Sequence, residues 1–159
     1  MKKSKHFTIG AAAIILMLLH YNISFAIDES IGIINDFKGT VHLVRNNQKV
    51  PIDKGFNLLI DDTLSTGPDS SVGMIFKDET LLSIGANSEL TINEYVFNPD
   101  QSKFSLILKM AKGTASYVSG LIAKISPESA RFITPSASIG IRGTKFVIQV
   151  DGDKGIFSW

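Results

Sequence analysis

The chain has 159 residues and no cysteine, is 44% hydrophobic, and sets sixteen Lys and Arg against fifteen Asp and Glu for a formal charge of +1. That length holds one domain with a real core and is short for two. Without cysteine there is no disulfide framework, thiol chemistry or thiol-linked lipid anchor. The balanced charge, with no basic stripe, lacks the electrostatic footprint of a nucleic-acid binder.

The first residues set the expected compartment. Lys2, Lys3 and Lys5 precede an apolar run from about Phe7 to Leu19, and Ser24-Phe25-Ala26 ends in small residues at the positions a signal peptidase reads. This pattern predicts a Sec-type leader over residues 1–26, cleaved after Ala26, and a periplasmic or secreted domain over 27–159. The run breaks at His20-Tyr21-Asn22, short of the roughly 18–25 apolar residues that span a bilayer, so no stable membrane span is expected after cleavage. Cleavage removes three lysines and no acid, taking the formal charge to −2 and leaving His42 as the one histidine.

Beyond Ala26 the pattern is period two, with short apolar runs between turn formers. Val41, Leu43 and Arg45 alternate with His42 and Val44, and Asn46-Asn47 turns the chain toward Lys49, Val50 and Ile52, which reads as a hairpin. Thr66-Gly67-Pro68-Asp69 is a turn, Val72, Met74 and Phe76 share a strand face, and Asp78-Glu79 turns into Leu81 to Ile84. Gly85 to Ser88 breaks before Leu90 and Ile92. Phe104, Leu106, Leu108 and Met110 form a half-buried strand, and Gly113-Thr114 is read as a turn into Ala115 to Val118. Val118, Leu121, Ile122 and Ile125 fall at helical spacing, Ser126 to Ser129 is a loop, and Arg131–Thr134, Ala137–Ile141 and Thr144–Val150 complete the strands. The prediction is an all-β fold, a solenoid-like or rolled stack of short strands with at most one short helix besides the leader. No fixed-period repeat is evident.

The residues that remain exclude most catalysis. One histidine and no cysteine cannot assemble Cys-His, multi-histidine metal or Ser-His-Asp sites. Asp61-Asp62 and Asp78-Glu79 are the candidate acid pairs for glycoside hydrolysis, and Asp61-Asp62 or Asp151-Gly152-Asp153 the candidate calcium ligands. All lie in turn sequence without the ligand spacing of a calcium loop, and are read as solvated turns. No phosphate loop or dinucleotide fingerprint is present. The expectation is no catalytic, metal or cofactor site.

The densest stretch is residues 132–146. Phe132-Ile133-Thr134-Pro135, then Ser136-Ala137-Ser138-Ile139-Gly140-Ile141-Arg142-Gly143-Thr144, Lys145 and Phe146, resembles the signature of the FecR-domain family. Gly39-Thr40-Val41, Thr63 to Gly67, Ser71 to Phe76, Leu82 to Ile84 and Lys112-Gly113 fall in that family's order, so the resemblance spans about residues 35 to 150. It implies a periplasmic all-β module without enzymatic activity, which in the best-known members belongs to a regulator of an extracytoplasmic-function sigma factor that hears a TonB-dependent transporter during iron-siderophore uptake. Only a few residues precede the apolar run, so a sigma-binding cytoplasmic segment is not expected. The ending Gly155-Ile156-Phe157-Ser158-Trp159 stops short of the family's further strands and is expected to leave an apolar edge that packs on the body or on a partner.

Within the motif, Thr134, Pro135, Gly140, Arg142, Gly143, Thr144 and Phe146 are read as structural: an extended approach, a glycine-hinged bend and a strand. Arg142 is read as an internal strut donating to nearby carbonyls or a carboxylate. The alternative makes Arg142, Lys145 and Trp159 contacts for an anionic ligand or partner. The favoured function is a non-enzymatic module for protein interaction or signal sensing at the envelope, with an unnamed envelope protein as partner. The alternatives are regulation of siderophore-responsive sigma-factor signalling, and carbohydrate or cell-wall binding through Tyr95, Tyr117 and Trp159.

Overall fold

The computed structural model describes residues 29–143, 145–151 and 154–158. The leader expected over 1–26, together with Thr144 and Trp159, lies outside the described residues. The expected hairpin is present as β2 (Val41–Arg45) and β3 (Gln48–Val50), with Asn46 and Asn47 at φ 50° and 60°. Two successive left-handed residues make the turn whose twist matches that of the flanking strands, which is why asparagines serve there.

The other strands follow the period-two pattern: β1 (Gly32–Lys38), β4 (Asn57–Leu58), β5 (Thr63–Thr66), β6 (Ser71–Phe76), β7 (Leu81–Ile84), β8 (Glu89–Asn98), β9 (Lys103–Val118), β10 (Ala130–Ile133), β11 (Ser138–Gly140), β12 (Lys145–Asp151) and β13 (Lys154–Ser158). They hydrogen-bond into one thirteen-stranded network that curls as a half-barrel. The fold is all-β, with a single α-helix, α1 (Leu121–Ile125), among the described residues.

β9 organises the network. Its first part pairs with β8 and, in parallel, with β10, while its second part pairs antiparallel with β7 and β12. One half of the sheet therefore runs β3-β2-β5-β8-β9-β10-β11 and the other β13-β12-β9-β7-β6-β1-β4. Inward-facing residues of both halves, among them Leu43, Leu64, Leu90 and Leu108 from the first and Ile34, Met74, Leu82 and Tyr117 from the second, form one hydrophobic cluster.

The continuity of β9 corrects the turn expected at Gly113-Thr114. Gly113 adopts φ +96°, a left-handed conformation that bends the strand without ending it. A Cβ on Gly113 would overlap Ser88 Oγ and Cα, because the Ser88 hydroxyl sits against it to accept Thr114 N–H at 3.0 Å. Gly113→Ala combines that clash with an unfavourable φ, and is expected to lower stability by at least about 3 kcal/mol in urea unfolding.

Four turns share a plan that a fixed-period search misses because their spacing varies. A residue at positive φ (Asp61, Asp69, Glu79, Asn87) is followed by a buried polar residue (Asp62, Ser70, Thr80, Ser88) and, two positions later, by a buried apolar one (Leu64, Val72, Leu82, Leu90). The left-handed residue reverses the chain and turns the next side chain inward, where it must find a partner. Ser70 Oγ accepts Thr40 N–H at 2.9 Å, Thr80 Oγ1 accepts Gly120 N–H at 3.1 Å, and Ser88 takes Thr114. The helix is shorter than the spacing suggested: Val118 stays in β9, and Gly120 leads into α1 against the backbone of Asp78 and Thr80, where a Cβ would overlap both.

Candidate functional site

The motif over residues 134–146 carries the chain from one half of the sheet to the other. The Thr134 amide donates to Ala137 O at 2.8 Å and Thr134 Oγ1 accepts Ala137 N–H at 3.1 Å, closing the turn that reverses β10 into β11 with Pro135 exposed. After Gly140 ends β11, Ile141 is buried and its amide donates to Ala130 O at 2.9 Å. Gly143 follows at φ 152°, and Ser119 Oγ donates to its carbonyl. The chain then enters β12, where the half-buried Phe146 ring stacks on Tyr117, with centroids 4.9 Å apart, and meets Phe132 edge-on at 6.4 Å.

The block joins β11 to β12, and Arg142, read from the sequence as a strut, makes no such contact among the described residues. Arg142 is exposed and forms no hydrogen bond or ion pair among the described residues. The bend is tied by backbone instead, through the Ile141 amide and the Gly143 carbonyl. Gly140 has no steric need for glycine, since a Cβ there would meet nothing within 4 Å. Lys145 is exposed beside the bend. At the other end of the chain, β13 pairs with β12 and has no second neighbour among the described residues.

The arginine that does act as a strut is Arg45. Its Nε and Nη2 donate to the two carboxylate oxygens of Asp62 at 2.7 and 2.8 Å, and Nη2 also reaches Asn57 O at 2.8 Å. Its guanidinium lies 5.2 Å from the Phe56 ring centroid. Asp62 is fully buried and takes Leu59 N–H at 2.8 Å as well, so it is not a solvated turn residue. Asp78 is buried too: its carboxylate accepts Thr80 Oγ1 at 2.8 Å and Ile122 N–H at 3.2 Å, and its carbonyl accepts Leu121 N–H at 2.6 Å. Asp78 therefore caps α1 from a distant turn, satisfying amides that the helix cannot. In each acid pair the other member, Asp61 or Glu79, is the exposed left-handed turn residue. His42 is exposed on β2, and no group of three metal-ligating side chains occurs among the described residues.

Two tyrosines close on Asp78. The Tyr95 hydroxyl accepts Asp78 N–H at 2.8 Å, and the Tyr117 hydroxyl lies 3.5 Å from Thr80 Oγ1. Burial, reinforced by the nearby Asp78 carboxylate, raises the Tyr95 phenol well above its ordinary value. Burial also pushes Tyr117 up to about 12, with Asp78 adding to the rise and the Thr80 hydrogen bond opposing it. The folded state thus holds these protons more tightly than the unfolded chain, whose tyrosines titrate near 10. Stability from this source is intact below about pH 10 and declines as pH rises toward the folded values, by about 1.4 kcal/mol per pH unit for each phenol. Urea midpoints between pH 9 and 12 are expected to show that decline, and Tyr117→Phe to flatten part of it.

One cleft, with a volume of ≈ 590 Å³, opens where the two halves of the sheet part. Its walls are runs of consecutive residues: 29–31 before β1, 59–61 between β4 and β5, and 95–98 of β8. In β8 consecutive residues point alternately to either side, so that wall presents backbone as well as side chains. Lys77 Nζ holds Glu29 at 2.6 Å across the mouth and keeps that carboxyl below its usual range. Ile60 and Val96 are 44% and 36% exposed at the lips. The sequence reading ended its strand at Ile92 and missed this edge, although Tyr95-Val96-Phe97 carries the aromatic and β-branched composition of a strand.

No curated protein and no solved structure matches the chain. The family described as FecR protein matches over residues 62–158, from the buried aspartate of the Arg45 strut to the end of β13. That stretch holds three of the four repeated turns, all of β9 and the whole crossover at Arg142. Covering well over half of the sequence, and including the motif that ties the two halves of the sheet together, this match shows that the chain belongs to the FecR family.

Proposed function

We propose that this protein is a non-enzymatic periplasmic or secreted module that takes part in signal sensing at the cell envelope by binding another protein. The family match over residues 62–158 carries the reading, because that family is known in envelope signalling. The fate of the acids supports it: Asp62 and Asp78, the inward members of the two candidate catalytic pairs, have their carboxylates committed to backbone and side-chain donors of the fold. The leader pattern over residues 1–26 supports export with cleavage after Ala26. The repeated turns support a rolled stack of short strands as the architectural description, and the exposed Arg142 and Lys145 are contacts for the partner.

The experiment is expression of the complete chain with a C-terminal tag, followed by cell fractionation, N-terminal sequencing and in-cell crosslinking. A periplasmic product beginning at Ile27 and crosslinked to an envelope protein is the expected result. A cytoplasmic, uncleaved product overturns the reading. Crosslinks to a transporter, with altered sigma-dependent transcription on deletion, specify iron-responsive regulation, whereas crosslinks confined to peptidoglycan replace the protein partner with a cell-wall ligand.

A further inference from the structure

The backbone of β8 is used on one side and only partly on the other. Every residue from Glu94 to Asn98 is paired with β9. On the opposite side β5 covers β8 only at Glu89–Thr91, and Asp61 and Asp62 exchange bonds with Ile92. Beyond Ile92 no described residue pairs with that side, so among the described residues 94–98 are a strand edge without a partner, and Tyr95 to Asn98 wall the cleft. Sheet edges are usually short, charged, proline-bearing or covered. This one carries the apolar run Tyr95-Val96-Phe97 and lines the cleft of ≈ 590 Å³. Tyr95 is held from behind by its hydroxyl, which accepts the Asp78 amide, and by its stack on Phe76, 5.7 Å between centroids.

We propose that this cleft takes an extended peptide segment of a partner protein, which adds as a strand to the free edge of β8 and alternates apolar with basic side chains. Main-chain hydrogen bonds to residues 94–98 supply affinity in such strand addition, and the alternate side chains supply specificity. The apolar side chains meet Ile60 and Val96, the exposed lips. The basic ones answer the local charge: Asp61, next to Ile60 on the facing wall, has no ion-pair partner among the described residues, while Lys77 is already held by Glu29. The proposal rests on the protein-binding reading above and names the surface it uses.

The probe is an acetylated, amidated peptide of four Lys-Val repeats, titrated into the purified protein by calorimetry, with four Glu-Val repeats as the control. Saturable binding is expected for Lys-Val, at least roughly tenfold tighter than for Glu-Val. A strand donates hydrogen bonds to its neighbour from alternate residues only. N-methylation of every second residue is therefore expected to abolish binding in one phase of the alternation and to leave it nearly unchanged in the other. Val96→Lys and Ile60→Lys, at half-exposed positions, are expected to weaken binding at least roughly tenfold without a change in the urea midpoint. No saturation by about 1 mM peptide, equal loss in both N-methyl phases, or full binding by the folded Val96→Lys protein overturns the proposal. Envelope crosslinks that persist in the double lysine variant also overturn it while leaving the protein-binding reading intact. Peptide binding with the stated phase pattern, in a protein that crosslinks to nothing in the envelope, overturns that reading and leaves the edge standing.

Discussion

Asp78→Ala is expected to lower the unfolding free energy by about 3–5 kcal/mol, measured by urea denaturation at pH 7. The side chain fills a site with no solvent access, and its loss removes the acceptor for Thr80 Oγ1 and for the Ile122 amide at the start of α1. Each buried donor left without a partner costs about 1–3 kcal/mol, and three elements meet at this point: the β6–β7 turn, α1 and Tyr95 of β8. Asp78→Asn separates shape from hydrogen bonding. It keeps the volume and one acceptor, but sets an NH₂ group against donors, so a loss of about half the alanine effect is expected. If Asp78→Ala unfolds at the wild-type midpoint, the cap has no energetic role.

Arg45→Met is expected to cost about 3–5 kcal/mol, because it leaves the fully buried Asp62 carboxylate without its cation while preserving a stem to pack near Phe56. The double variant Arg45→Met/Asp62→Leu removes both charges, and replacing a buried pair with apolar residues is often nearly neutral. Here the recovery is expected to stop about 1–3 kcal/mol short of wild type, since the Leu59 amide still loses its acceptor. A double-mutant cycle measures the coupling directly. Additive single effects would show that Arg45 acts through packing and its other contacts instead of through Asp62.

Asp62 and Asp78 are visible in the sequence but read there as solvated turn residues, whereas Arg45 is placed correctly in the first hairpin without its partner. The pairs Asp61-Asp62 and Asp78-Glu79 have turn composition, but composition does not say which neighbour faces inward. The deciding fact is the backbone: the left-handed member, Asp61 or Glu79, is exposed, and its neighbour is driven into the core. Arg142 drew attention because glycines flank it, whereas Arg45 closes a long-range contact across 17 residues that no local pattern announces. Alternation located Val72, Met74 and Phe76 and the β2–β3 hairpin well, because burial on one face forces period two. It failed at Gly113, where the same residue type that ends strands instead lets one continue past Ser88. It failed again at residues 94–98, where a strand paired on one side only has a less regular burial pattern.

The tripeptides Lys38-Gly39-Thr40 and Lys112-Gly113-Thr114 repeat the chemistry of Arg142-Gly143-Thr144. In the first two, a left-handed glycine precedes a threonine whose amide is taken by a buried serine, Ser70 or Ser88. The signal could have been found by treating lysine and arginine as equivalent. In these two it marks a place where the backbone bends around a serine hydroxyl, between β1 and β2 or within β9, and so describes construction more than recognition.

The placement of β9 also governs the order in which the molecule can be assembled. Its neighbours β7 and β8 precede it in the chain, and β10 and β12 follow it. Until residue 118 has emerged from synthesis, the first eight strands make two unfinished fragments with no common member, each with a raw hydrogen-bonding border. The central strand arrives late; it folds back on β8 next to it but must also reach β7 across β8, a non-local pairing that folds slowly and leaves sticky borders exposed meanwhile. Productive folding therefore depends on keeping the first hundred residues apart from their neighbours until that single segment joins them.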